Sequence, residues 1–323
     1  MAPLRRRFMK HWSHWLGITL CAGFILAALT APLLSPDDPR HPGPEKIVGR
    51  VVDHKPHPPS SKAPLGTLPG QASVYHMLVW GTRSGLVFGL VTALLTGFLG
   101  VFAGVLGAYA GGRVNELVMR VTDAFLAFPV IAGVVLVQQV STIILSDAGI
   151  YETFGGLGGV STAMRGFETQ HADLSPWLSL LHNMNPVMVA FILFSWPAYA
   201  RIMNTTSQRI MQAEYIQAAR SLGVGHLQMI FGHILPNAIA PVIIMAARDV
   251  GGMVLMQAAF TFIGLGGDSL WGTLLVRGRN WIIGPGGSIL TYWWLFLPAT
   301  LALVLFGAGW NLIGDALNEM LDV

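Results

Sequence analysis

Few side chains in this sequence are spaced for chemistry. Arg248 and Asp249 form an adjacent pair of opposite charge inside an otherwise uncharged run, 234–267. Charges at such depth are costly to desolvate, so the pair either locks helix packing or faces a polar cavity. A solute bearing both an ammonium and a carboxylate would complement it. Met253 and Met256 lie on the same run and offer a soft wall to a cavity, or an ordinary lipid contact. Histidine is the second candidate, with ten present. His54 and His57 are three apart, as are His11 and His14, but neither pair has the cysteine or carboxylate companions of a complete metal site. They are read as solvated, and no bound metal is expected. Gly155-Gly156-Leu157-Gly158-Gly159 suggests a phosphate loop but lacks the G-x-G-x-x-G spacing and a preceding strand, so it reads as an outer loop. No G-x-x-x-x-G-K-[ST] occurs, and none of Lys10, Lys46, Lys55 and Lys62 sits in a phosphate cradle. No H-E-x-x-H and no nucleophile-elbow serine is present. The single cysteine, Cys21, allows no disulfide within the chain.

The elements that must position these residues are membrane spans. Hydrophobic residues make up 53% of the chain and charged ones 11%, with a mean hydropathy of +0.58; ordinary soluble domains carry about 25% charge. The apolar residues gather in uncharged runs at 15–35, 84–112, 124–146, 174–200 and 281–314, with 234–267 interrupted only by Arg248 and Asp249. Each reaches the roughly 20 residues a spanning helix needs. The runs are continuous, which excludes a lipid-facing barrel. An all-α integral membrane protein of about six spans is predicted. The basic residues sit at the ends of the runs, so they read as topology signals and not as a nucleic-acid footprint.

Arg5, Arg6, Arg7 and Lys10 precede the first span and place the N-terminus in the cytoplasm. The long hydrophobic run and poor cleavage sequence at 28–31 favour a signal anchor over a cleaved signal peptide. The expected organisation is a cytoplasmic tail (1–14), a first transmembrane helix (15–35), an external loop (36–83), a five-helix core (84–317) and a cytoplasmic tail (318–323). The core carries an external insertion at about 147–182 and cytoplasmic loops at 111–123 and 201–236. Residues 54–69, rich in proline and serine, read as an extended tether.

The most informative stretch spans nothing. Glu214-Tyr215-Ile216-Gln217-Ala218-Ala219-Arg220-Ser221-Leu222-Gly223 precedes an apolar periodicity of Leu227, Ile230, Phe231 and Ile234, then Leu235-Pro236. Two short helices with a break are predicted, Gly223 taking the left-handed position after the first and Pro236 limiting the second. The periodic face either packs on the ends of the spans or docks a partner. Glutamate, two alanines, a glycine nine residues after the glutamate and a later Ile-Leu-Pro resemble the "EAA" signature of binding-protein-dependent ABC importer permeases. The dipeptide, oligopeptide and nickel branch is further resembled by Leu65-Gly66-Thr67, Tyr109-Ala110-Gly111-Gly112, residues 119–129, Phe262-Ile263-Gly264-Leu265-Gly266 and residues 311–317.

That resemblance implies a translocation subunit that is not an enzyme and binds no cofactor, with ATP and Mg held on separate ATPases. The implied assembly is two different permeases, two ATPases and an extracytoplasmic binding protein in the cytoplasmic (inner) membrane. Glu214, Ala218, Ala219 and Gly223, with Leu227, Ile230 and Pro236, would couple to the ATPase; Glu214 would also suit a helix N-terminus. Arg248, Asp249, Met253 and Gln257 are candidates for the translocation path. Gln257 stands where the branch commonly has glutamate, and 68–73 departs from its usual acidic and Gly-Arg-Asp pattern. Peptides are the expected substrate, with nickel or another small solute as the alternative. A polytopic membrane enzyme is the reading of another class; it lacks a second intramembrane aspartate beside Asp249. A transporter working alone would have no use for the EAA-like stretch.

Overall fold

The computed structural model describes residues 12–36, 45–48, 54–147, 185–284 and 286–321. Nine principal helices run through them: α1 (Trp12–Leu29), α2 (Val74–Ala110), α3 (Gly112–Ala127), α4 (Val130–Asp147), α5 (Pro186–Met211), α6 (Glu214–Ser221), α7 (Ala240–Phe262), α8 (Leu270–Ile283) and α9 (Leu297–Leu321). Helices α1, α2, α5, α7 and α9 are each long and apolar enough to span a bilayer; α3 with α4, bent by 87°, would make a sixth span. Among the described residues β-pairing is limited to two isolated bridges, Ile47 with Ala72 and Thr67 with Ser73. The chain is an all-α integral membrane protein, as its hydropathy requires.

Several boundaries differ from the sequence expectation, each for a local reason. Helix α2 begins at Val74, not 84, because the Ser73 hydroxyl caps the His76 amide at 3.3 Å. Its 37 residues rise about 55 Å, well beyond a hydrocarbon core of about 30 Å. Residues 111–123 are not a loop: α3 is an amphipathic helix with Val114, Leu117 and Val121 exposed. The run 124–146 is not one helix either. Pro129 holds Phe128 in extended backbone (φ −87°, ψ 126°), ending α3 before α4 starts. At the last span, Gly284-Pro285-Gly286-Gly287 divides 281–314. Helix α8 stops before it, and α9 begins only at Leu297. Of the expected span 174–200 the described part starts with α5, capped by Asn185 on the Val187 and Met188 amides. The tail 1–11, Gly155–Gly159 and nearly all of the insertion at 147–182 lie outside the described residues.

Small residues set the helix spacing. A methyl on Gly100 would meet the Ala200 amide nitrogen at 2.9 Å, and one on Gly104 the Ala200 carbonyl at 2.5 Å, so α2 and α5 touch backbone to backbone. Without a hydrophobic force between helices in lipid, close approach of this kind holds them together. Helix α7 meets α9 at Gly251 and Gly307, and α1 lies on α9 at Gly17 and Gly309. Phe24, Trp271 and Phe306 form an edge-to-face aromatic knot between α1, α8 and α9.

The two ends of the bundle are built differently. At one end the expected tether is a folded cap: Leu68, Thr67 and Gln71 are buried. The Thr67 amide donates to the His57 carbonyl at 2.9 Å, the Gln71 side-chain amide to the Lys55 carbonyl at 3.0 Å, and Trp294 to Thr67. Arg277 pairs with Glu45 at 2.5 Å across the same end, and Ser35 bonds His76 at 2.8 Å. Proline has no amide hydrogen to donate, and these bonds close loops of ten residues or more, so composition alone suggests an open chain. At the opposite end α6 sits beside the C-terminus of α2, where the Tyr109 hydroxyl and His226 Nδ1 are 2.6 Å apart. His14 and Glu319 approach to 3.5 Å, which brings the start of α1 and the end of α9 together.

Candidate functional site

Helix α6 opens with Glu214 in its first turn and closes with Arg220 in its last, both favourable to the helix dipole. It ends as the glycine predicts. Gly223 has φ +79°, its amide donates to the Arg220 carbonyl at 3.1 Å and the Val224 amide to the Ala219 carbonyl at 3.2 Å, the two bonds of a left-handed cap. The segment then turns back through His226–Gln228, a π-helical turn at Met229–Ile234 and Leu235–Ala238.

The predicted single apolar face divides in two. Ile230 and Ile234 are 7% and 0% exposed, whereas Leu227 and Phe231 are 72% and 63% exposed. The wider i→i+5 turn rotates residues that regular α spacing would keep on one side; such turns recur at functional sites. Ile216, Ala219, Met229 and Ile234 make a small core of their own. Tyr215, Ala218 and Leu222, spaced i, i+3 and i+7, lie along the open side of α6. The two alanines thus have different surroundings, Ala219 inside and Ala218 outside. Pro236 is exposed, at the first turn of Leu235–Ala238. Leu222, the most exposed of these apolar residues at 85%, carried no sequence signal beyond its place before the glycine.

The charged pair of α7 is not a pair. Arg248 binds Asp315 of α9 at 2.7 Å, its chain lying so close to Gly314 that an added methyl would meet Arg248 Cγ at 2.4 Å. Asp249 instead accepts the Tyr199 hydroxyl of α5 at 2.6 Å. Adjacent residues on a helix point about 100° apart, so each found a partner on a different neighbour. Met253 and Gln257 face inward, 6% and 4% exposed. Gln257 Nε2 donates to the Gly267 carbonyl at 2.6 Å, which also accepts Asn185 Nδ2 at 2.9 Å. Gln257 and Asn185 thus tie α7 to the start of α5 through Gly267; Met253 and Gln257 are buried, whereas Met256 is 40% exposed. Among the described residues no three His, Cys, Asp or Glu side chains come close enough to hold a metal.

The family described as binding-protein-dependent transport system inner membrane component matches residues 97–322. The chain belongs to this family. The match runs from the middle of α2 through α9 and includes α6 and the π-helical turn. It leaves out α1 and the folded cap, which whole-chain relatives cover. A dipeptide transport system permease protein of Alkalihalophilus pseudofirmus is 25% identical over 95% of this chain and 84% of its own length. A glutathione transport system permease protein of Pectobacterium atrosepticum is 27% identical over 82% and 73%. A nickel transport system permease protein of Escherichia coli is 27% identical over 97% and 95%. This permease is therefore the multi-pass membrane component of a binding-protein-dependent transport system.

Proposed function

We propose that this permease is one of two different translocation subunits of an ATP-driven importer that moves di- or oligopeptides across the inner membrane. Two separate ATPases, carrying ATP and Mg, power it, and an extracytoplasmic binding protein delivers the substrate. The observation that carries the reading is the apolar surface of the α6 segment: Leu222, Leu227 and Phe231 stand 63–85% exposed on a segment with its own buried core. Helix α5 enters it through the polar run Asn204 to Arg209, past the apolar part of the span, so these side chains meet water and not lipid. A built apolar projection facing water marks a protein contact. The end that carries it is assigned to the cytoplasm, together with both termini, by the basic residues ahead of α1. Glu214, Ala218 and Gly223 belong to this docking element, while Ala219 and Ile230 form its support.

The peptide assignment rests on relatives named for dipeptide and glutathione transport; nickel is the alternative carried by an equally similar relative. The translocation route is assigned to the side of α7 on which half-buried Asp249 and Gly252 lead to exposed Met256. An aspartate at the centre of a helix costs about 3 kcal/mol when it faces lipid. Helix α2 shows what a lipid face looks like, with Leu94, Phe98 and Phe102 exposed and no charge from 84 to 110.

Affinity recovery of the tagged permease from its native membrane tests the reading. Wild type should bring down an ATPase and a second permease. Leu227→Asp, on a side chain that supports nothing in the fold, should lose the ATPase by more than tenfold and keep the second permease. Recovery of wild-type permease alone from intact complexes would sink the importer reading.

A further inference from the structure

We propose that Asp249 is an ammonium-binding station on the translocation route, where the protonated amine of a passing substrate meets the carboxylate oxygen left open by Tyr199. The proposal rests on reading this half-buried side of α7 as route-lining, and it narrows the substrate to one carrying a cationic amine, such as a peptide with a free N-terminus or a lysine side chain.

Four observations converge on it. First, Asp249 is nine residues into the 23-residue α7, about 14 Å from its start at 1.5 Å per residue, and so deep within the span. Second, its neighbour does not neutralise it, because Arg248 is tied to Asp315 on another helix. A pair able to hold both ends of a zwitterion is thereby replaced by a single carboxyl group. Third, the group is oriented: the donor, Tyr199, is fully buried and binds one oxygen, Oδ2, and no described side chain donates to the other. An ammonium is the strong complement to a fixed, half-satisfied carboxylate. Fourth, there is room. A methyl built on Gly252, one turn further along the same side, meets nothing within 4 Å, and Met256 beyond it is 40% exposed. Unbranched methionine adapts to apolar side chains of varied shape. The site therefore reads one charge and tolerates what is attached to it.

The test needs no knowledge of the natural substrate. The complex is purified from native membranes into nanodiscs with Cys21→Ala as background and Gly252→Cys as reporter; Met256→Cys serves as a second reporter. Reaction rates are measured with a cationic thiosulfonate bearing trimethylammonium and with its anionic sulfonate counterpart, each with Asp249 intact and with Asp249→Asn. The cationic reagent should react faster when Asp249 is intact, and Asp249→Asn should reduce the cation-to-anion rate ratio roughly tenfold, as expected for a charge within about 10 Å at low dielectric. A ratio unchanged by Asp249→Asn, with both reagents reacting, would overturn the ammonium station and leave the route standing. Reporters that react only with a lipid-soluble maleimide would instead remove the route from this side of α7, and the station with it.

Discussion

Replacing Gly104 with leucine is expected to remove most of the folded permease. At this position α2 and α5 are in backbone contact: an added methyl would lie 2.5 Å from the Ala200 carbonyl, 2.8 Å from Met203 Cβ and 3.0 Å from the Asn204 amide. None of these can swing aside as a flexible side chain would. Gly100, one turn earlier, is equally tight against Trp196, Tyr199 and Ala200, so the helices cannot pivot open locally. Separation would also stretch the bond from Asn204 Nδ2 to the Gly104 carbonyl, 3.1 Å, and disturb Asn204's 2.7 Å bond to Asn115 of α3. Overpacking costs about 3 kcal/mol at the upper end of its usual range, and straining the hydrogen bonds of Asn204, only 4% exposed, adds to it. The expected reading is about a tenfold loss of monodisperse protein on size exclusion in detergent, with a lowered melting temperature. Phe102→Leu, on the exposed side of the same helix, should behave as wild type. Normal yield and melting temperature for Gly104→Leu would show that α2 and α5 are not packed as described.

What could be read beforehand follows from how local each cause is. The spans were legible because lipid exposure is a property of consecutive residues, and α2, α5 and α7 fall where uncharged runs lie. Gly223 was legible because a left-handed helix end needs only that residue and its own carbonyls. The contact of α2 with α5 at Gly100 and Gly104 was not read beforehand, since two glycines one turn apart name no partner helix. The bend at Phe128-Pro129 was written in the sequence, but hydropathy does not register it, since both flanking segments stay apolar.

Two of the misreadings have a different cause, which is that the deciding partner lies far away. Arg248 and Asp249 look self-neutralising as neighbours, yet Asp315 and Tyr199 are 67 and 50 residues distant, and no local pattern announces either. The segment 54–69 looks open because proline and serine prescribe no regular element, until Trp294 and Gln71 bond to its backbone. The periodic face of Leu227, Ile230, Phe231 and Ile234 fails through geometry: a period of 3.6 was assumed where the chain takes a π-helical turn. That failure is informative about function. It leaves Leu227 and Phe231 exposed while Ile230 and Ile234 are buried beneath them, so one short sequence supplies both a projection and its foundation.

The same division predicts one outcome by two different routes for two adjacent alanines. Ala219 is 8% exposed in the core made with Ile216, Met229 and Ile234; Ala218 is exposed on the open side with Tyr215 and Leu222. Tryptophan at 219 cannot be housed by so small a core and should expel α6 from its seat, at a cost of about 1–3 kcal/mol or more. Tryptophan at 218 disturbs nothing within the permease but adds a bulky ring to the proposed docking side. Both variants should therefore lose the ATPase on affinity recovery, for different reasons that limited trypsin digestion separates. Arg220, exposed in the last turn of α6, should be cut several-fold faster in Ala219→Trp, where the helix is released, and at the wild-type rate in Ala218→Trp, where it is intact. An Ala218→Trp variant that keeps its ATPase would show that this side of α6 is not the docking surface, whatever Ala219→Trp does. Loss of the ATPase with unchanged cleavage at Arg220 would tie coupling to the surface of α6 itself and not merely to the stability of the segment beneath it.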